Sequence, residues 1–211
     1  MRITQCNAML VIGIAGGIAS GKTLVAECLQ NLGVFLIDAD RIGHEVLQQA
    51  DVVNAIQTRW GKEILQSDGQ LCRSEIAKRV FAPPPKGPVE LAFLEKLTHS
   101  RIGEHLQQKI HELKNACDTP AVALDAAVMF KAGWSSCCTH ILFVDTPEEL
   151  RIERARQRGW TAADLAARES SQTSLTIKRQ AADYVIDNSG PSKKTQAQVE
   201  QLWDKLKLLV N

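Results

Sequence analysis

The chain has no stretch approaching the ~20 consecutive apolar residues that a membrane-spanning helix requires. Nor does any C-x-x-C pair occur among its six cysteines, Cys6, Cys28, Cys72, Cys117, Cys137 and Cys138. The first lack points away from a helical membrane protein. The second points away from a zinc site or a disulfide scaffold, so the thiols read as reduced and mostly structural. An excess of one charge is missing too: 25 Lys and Arg stand against 24 Asp and Glu, for a formal net charge of +1. That balance argues against a general nucleic-acid surface, although it permits a local basic patch. There is no internal repeat and no long low-complexity tract, and Pro83-Pro84-Pro85 marks a loop. With 211 residues, 45% of them hydrophobic, the chain can bury roughly 70% of its unfolded surface around one core without disulfides.

What is present is a phosphate-binding loop. Gly16-Gly17-Ile18-Ala19-Ser20-Gly21-Lys22-Thr23 matches G-x-x-x-x-G-K-[ST], in which glycines let backbone N–H groups turn toward a nucleotide's phosphates. In that pattern Lys22 reaches the β- and γ-phosphates and the Thr23 hydroxyl ligates Mg²⁺. The flanks agree. Met9 to Ile14 is a continuous apolar run, as a strand buried on both faces of a parallel sheet should be. Leu24, Val25, Cys28, Leu29 and Leu32 then form one helical face, ended by Gly33. The same apolar segment, Ala8 to Ala19 behind Arg2, could pass for a secretory leader. It also holds the glycines of the loop, with Lys22 where a leader would be cut, so the expectation is a soluble, cytoplasmic protein.

Four further apolar runs read as strands: Val34 to Ile37, Ala121 to Leu124, Ile141 to Val144 and Tyr184 to Ile186. Asp38, Asp125, Asp145 and Asp187 follow them, and the carboxyl ends of parallel strands are where ligands sit in doubly wound sheets. The expected fold is therefore α/β, a parallel sheet of about five strands flanked by helices. Residues 41–118 are too long for one crossover and read as a helical insertion. Lys193 to Leu209 closes the fold as a helix.

Asp38, in Asp38-Ala39-Asp40, is the candidate catalytic base. A kinase acting on an alcohol needs a carboxylate to orient the hydroxyl and accept its proton. The other reading of Asp38 is a cap on a helix starting near Arg41, for which Asp40 is the better candidate. Asp125 could hold Mg²⁺, or could be a turn residue. Arg151, Arg154, Arg156 and Arg158 crowd one helix and Arg168 lies on another. Arg154 and Arg158 are the candidates to close on phosphates, against the alternative of a solvated face. Asp40-Arg41-Ile42-Gly43 matches the D-x-x-G of GTPases, but the chain has no N-K-x-D. The loop and Asp38 do not by themselves choose the acceptor: another small alcohol or nucleotide, or a module without kinase activity, stays open.

Over nearly its whole length the sequence resembles the dephospho-coenzyme A kinase family. The resemblance is carried by the loop, by Asp38-Ala39-Asp40 with His44 and Val46, by Asp68-Gly69-Gln70-Leu71-Cys72-Arg73, by Leu94 to His99, by Arg168 with Gln172, and by Ala182-Asp183-Tyr184-Val185-Ile186-Asp187-Asn188. It implies a P-loop kinase fold over 1–211: a nucleotide-binding core (1–40, 119–150, 180–211), a helical acceptor-binding insertion (41–118) and a helical lid (151–179). It implies ATP and Mg²⁺ as cofactors and dephospho-CoA as acceptor; the charge balance and the lack of a long apolar run lead us to expect no nucleic-acid or membrane partner, and no obligate protein partner is evident. By similarity, Gly17, Ile18, Ala19, Ser20, Gly21, Lys22, Thr23 and Asn188 would bind ATP, Asn188 near the adenine. Asp38 would be the base, and Arg73 and His99 would face the acceptor. The chain departs from the family pattern in Ala127 and Lys131, where a proline and an acid are usual, and in Cys72, so its acceptor pocket is expected to differ.

Overall fold

The computed structural model describes residues 9–116 and 119–209; Arg2, Cys6, Ala8 and Cys117 lie outside the described residues. The described residues form two compact units, one of residues 9–38, 108–116 and 119–209 and the other of residues 39–107.

The first unit is built on a parallel sheet of β1 (Leu10–Gly16), β2 (Phe35–Asp38), β3 (Ala121–Asp125), β4 (His140–Asp145) and β5 (Tyr184–Asp187), in the order β2-β3-β1-β4-β5. The central strand β1 is buried at all seven residues, which explains its unbroken apolar sequence. Alternate side chains Leu10, Ile12 and Ile14 join one core with Val25 and Leu29 of helix α1 (Lys22–Asn31). Val199, Leu202, Trp203 and Leu206 of the C-terminal helix (Ser192–Leu206) complete it. On the opposite face Gly13 has no room for a side chain: a Cβ there would stand 2.8 Å from both Cys138 Sγ and Met129 Sδ. Burial of this kind pushes the Cys138 thiol up to about 12, so it is an inert packing group.

Strands β2 to β5 each run one residue past the expected apolar stretch, so their aspartates are strand residues and not the first residues of loops. A polar residue at a strand's carboxyl end still pairs its backbone in the ladder; side-chain polarity hides this in the sequence.

The second unit is helical. It contains α2 (Ala39–Val46), α3 (Ala50–Trp60), α4 (Arg73–Val80) and the first part of α5 (Lys86–Ala116). Val46, Val52, Ile56, Ile64, Ile76 and Leu106 are buried in it. Glu90 accepts from both Arg59 and the Trp60 indole at 2.6 Å, which ties α3 to α5. The last turns of α5, from Gln108, belong to the first unit, where Lys109 Nζ lies 5.8 Å over the Phe35 ring. The separate helical unit thus spans 39–107, where the sequence led us to expect an insertion over 41–118. The remaining helices are α6 (Glu148–Gln157), α7 (Ala162–Ser170), α8 (Leu175–Gln180) and the C-terminal α9; the segment expected as a lid falls in the first unit.

Candidate active site

β1 delivers the chain into the loop and α1 takes it up at Lys22. Between them the backbone is forced into left-handed geometry, at Gly21 with φ 92° and at Ala19 with φ 59°. A side-chain-bearing residue held there stores strain that the surroundings must over-determine. They do so mainly through one carbonyl. Ser20 O accepts from Asn188 Nδ2 at 2.7 Å, from Thr146 Oγ1 at 2.8 Å and from Arg154 Nη1 at 3.3 Å. Asn188 is itself fixed, because Thr195 Oγ1 donates to its Oδ1 at 2.7 Å and Arg154 Nη2 to its backbone carbonyl at 3.0 Å. Three separate elements or their ends therefore converge on the loop, the residues after β4 and β5 and helix α6, with α9 bracing Asn188 from behind.

The loop is also primed for an anion. Lys22 Nζ donates to Gly17 O at 3.1 Å, and the Ser20 hydroxyl, 1% exposed, has no hydrogen-bond partner among the described residues. A buried hydroxyl left so costs about 1–3 kcal/mol. The N-terminus of α1 adds its positive dipole. Beside the loop, a cavity of about 320 Å³ is lined by Ala19, Gly21, Leu24, Arg154, Arg158 and Asn188, a volume within the range of small-ligand sites.

At the strand ends, Asp38 and Asp125 are register partners across β2 and β3, and Asp125 pairs in turn with Ile14 of β1. The helix after Asp38 starts at Ala39, two residues earlier than expected. Asp38 therefore directly precedes it and Asp40 lies in its first turn, where a carboxylate favours the helix dipole. Of the other two strand-end aspartates, Asp145 pairs with Arg179, and Asp187 accepts from Lys194 at 2.7 Å and from the Ser189 amide at 2.9 Å.

The arginines sort themselves by what they touch. Arg154 holds loop carbonyls and Arg158 lines the cavity. Arg168, by contrast, stacks 4.3 Å over the Trp160 ring. Three groups that the sequence reading did not single out sit on the loop's other flank. Arg151, 5% exposed, is paired with Glu169; Glu169 Oε1 accepts from the Ile18 amide at 3.1 Å. Lys178, 4% exposed, donates to Gln172 Oε1 at 2.8 Å, and burial together with the nearby charge of Lys22 pushes it down to about 8. One signal could have found Arg151: it shares the buried stripe of α6 with Ala155, four residues on.

In the second unit, a turn from Gln66 to Gln70, closed by Gln66 N–H donating to Gln70 O at 2.8 Å, pairs Leu65 with Leu71. It leads Cys72 and Arg73 into α4. A cavity of about 750 Å³ there is lined by His44, Gln48, Gln70, Cys72, Arg73 and neighbours. Of the two expected acceptor residues, Arg73 lines this cavity; His99 stands half-buried on α5 and is not among its lining residues.

A five-stranded parallel sheet with this loop at its central strand, and with carboxylates at the adjoining strand ends, defines a P-loop kinase. The dephospho-CoA kinase family profile matches residues 10–194, and the chain belongs to that family. Dephospho-CoA kinase of Carboxydothermus hydrogenoformans is 36% identical over 199 residues, covering 93% of this chain and 94% of that one. Its counterpart from Corynebacterium diphtheriae is 34% identical over 93% of this chain and 97% of that one. A crystal structure of a Thermus thermophilus protein superposes with a TM-score of 0.76 at 27% identity, over 94% of this chain and 98% of that chain.

Proposed function

We propose that the protein transfers the γ-phosphoryl group of ATP to the ribose 3′-hydroxyl of dephospho-CoA. The observation that carries this reading is the family match over 10–194, which spans the loop, both strand-end carboxylates and the helical unit. On this reading the loop amides and Lys22 bind the β- and γ-phosphates, and the 320 Å³ cavity takes the adenosine moiety. Asn188 lines that cavity, yet its carboxamide is engaged with Ser20 and Thr195. Its role is then to hold the loop, and contacts to the base fall to the other lining residues.

Asp38 orients the acceptor hydroxyl and takes its proton as the new O–P bond forms and the bond to ADP breaks. Thr23, exposed at the start of α1, and Asp125 offer hard oxygen donors. Among the described residues no cluster of three or more His, Cys, Asp or Glu could cage a metal. That set suits Mg²⁺, which keeps waters and phosphate oxygens as most of its ligands. When bound, the ion would neutralise charge on the phosphates. The helical unit would receive dephospho-CoA, with Arg73 pairing one of its phosphate oxygens.

No helix among the described residues is long and apolar enough to cross a membrane; the proposed site of action is the cytoplasm, where ATP is supplied. Purified protein incubated with Mg-ATP and dephospho-CoA should yield ADP and the 3′-phosphorylated product by mass detection. ADP release with a different alcohol or a nucleoside, and none with dephospho-CoA, would overturn the acceptor assignment.

A further inference from the structure

We infer that Glu169 is an internal competitor for the phosphate loop, a carboxylate that a nucleotide phosphate displaces and that, on leaving, hands Arg151 to the phosphate chain. The inference rests on the nucleotide-binding reading of the loop and adds to it a pair of residues with a defined exchange. Three observations converge. Glu169 Oε1 accepts from the Ile18 amide at 3.1 Å, and Ile18 is one of the loop residues whose N–H groups cradle phosphate in this motif. The contact is close to the backbone itself: a Cβ on Gly17 would stand 2.8 Å from Arg151 Nη1 and 3.1 Å from Glu169 Oε1. Arg151 is 5% exposed, and its Nε has no hydrogen-bond partner among the described residues.

A guanidinium so buried carries five donors in a fixed fork and favours two acceptor oxygens at once. Glu169 leaves part of that capacity unused. A phosphate presents three oxygens and more charge, so it is the stronger partner for the same donors. The surroundings favour the exchange as well, since Lys22 and Lys178 both lie near this flank. Glu169 belongs to the last turn of α7, and its side chain is 26% exposed, so a change of rotamer is enough to release it. Two anions cannot share the Ile18 amide without strong repulsion. The carboxylate occupies the Ile18 amide that a bound phosphate would need, so on nucleotide binding it must leave, and the contact of α6 with α7 is remade around phosphate.

The alternative is an ion pair that only anchors α7 to α6. The two are separated by calorimetric titration of wild type and Glu169→Gln with MgADP, with inorganic tripolyphosphate and with adenosine. Removal of the competing charge should tighten MgADP and tripolyphosphate by about 5-fold or more and leave adenosine unchanged. Equal or weaker phosphate binding by the variant, with wild type binding MgADP, overturns the inference and leaves the nucleotide site standing. Absence of heat from MgADP in both proteins overturns the nucleotide-binding reading instead, and the inference with it. A crystal structure of wild type with MgADP asks the same question without any substitution. Glu169 withdrawn from the Ile18 amide supports the exchange, and Glu169 still bonded to it overturns it.

Discussion

Asp38 and Asp125 close neighbouring parallel strands as register partners, with their backbones the usual ~4.8 Å apart. The pairing sets both carboxylates at the same end of the sheet, beside the strand that leads into the phosphate loop, which suits one acting on the acceptor and the other on a metal. Asp38→Asn should cut kcat roughly 100-fold or more while leaving ATP affinity within about 3-fold, as loss of a positioned base does. Steady-state kinetics paired with direct ATP titration check this; unchanged turnover removes Asp38 from the chemistry.

For Asp125, substitution by Asn removes charge but keeps shape. The Mg²⁺ concentration needed for half-maximal rate should rise about 10-fold or more. A metal titration of activity that superposes on wild type would return Asp125 to a purely structural place at the end of β3.

Asn188→Ala should act on stability and nucleotide use together. It leaves the Thr195 hydroxyl without its acceptor and Ser20 O without its shortest donor, a loss of about 1–3 kcal/mol. Urea unfolding measures the first effect, and a raised KM for ATP with little change in KM for dephospho-CoA measures the second.

The helical unit is tested through Arg73, which lines the 750 Å³ cavity. Arg73→Ala should raise KM for dephospho-CoA by about 10-fold or more, as loss of a charge-assisted contact does, and leave KM for ATP nearly unchanged. The opposite pattern would assign Arg73 to the nucleotide.

Lys178 gives a pH dependence of known sign. Its proton is lost near 8 in the folded protein, against an ordinary 10.5. As pH rises through about 8 the charge beside Lys22 disappears, so nucleotide affinity should weaken there. Stability moves the other way: between about 8 and 10.5 the unfolded chain binds the extra proton, so this group favours the folded state increasingly with pH. Titrations of MgADP at pH 7 and 9 should show the loss in wild type and its absence in Lys178→Gln.

How much of this was legible depended on whether the chemistry is local. The phosphate loop, Lys22 and Thr23 are contiguous, so spacing alone identifies them. Asp38 was legible because it directly follows an apolar run. Arg154 was noticed for its charge and expected on phosphate, yet its guanidinium sits on the carbonyls of Ala19, Ser20 and Asn188. Glu169 and Lys178 gave no signal at all, since a carboxylate 151 residues from Ile18 announces nothing in a linear pattern.

The sequence by itself determined the α/β class, the five strands, the loop and the family, because backbone geometry and strand burial impose short-range rules on residue order. Tertiary structure alone decided that Asn188, Thr146 and Arg154 converge on one carbonyl, that Asp38 and Asp125 share a register, and that Glu169 reaches the loop with Arg151 behind it. Those contacts join segments more than 80 residues apart, and only the packing of strands and helices brings such segments together.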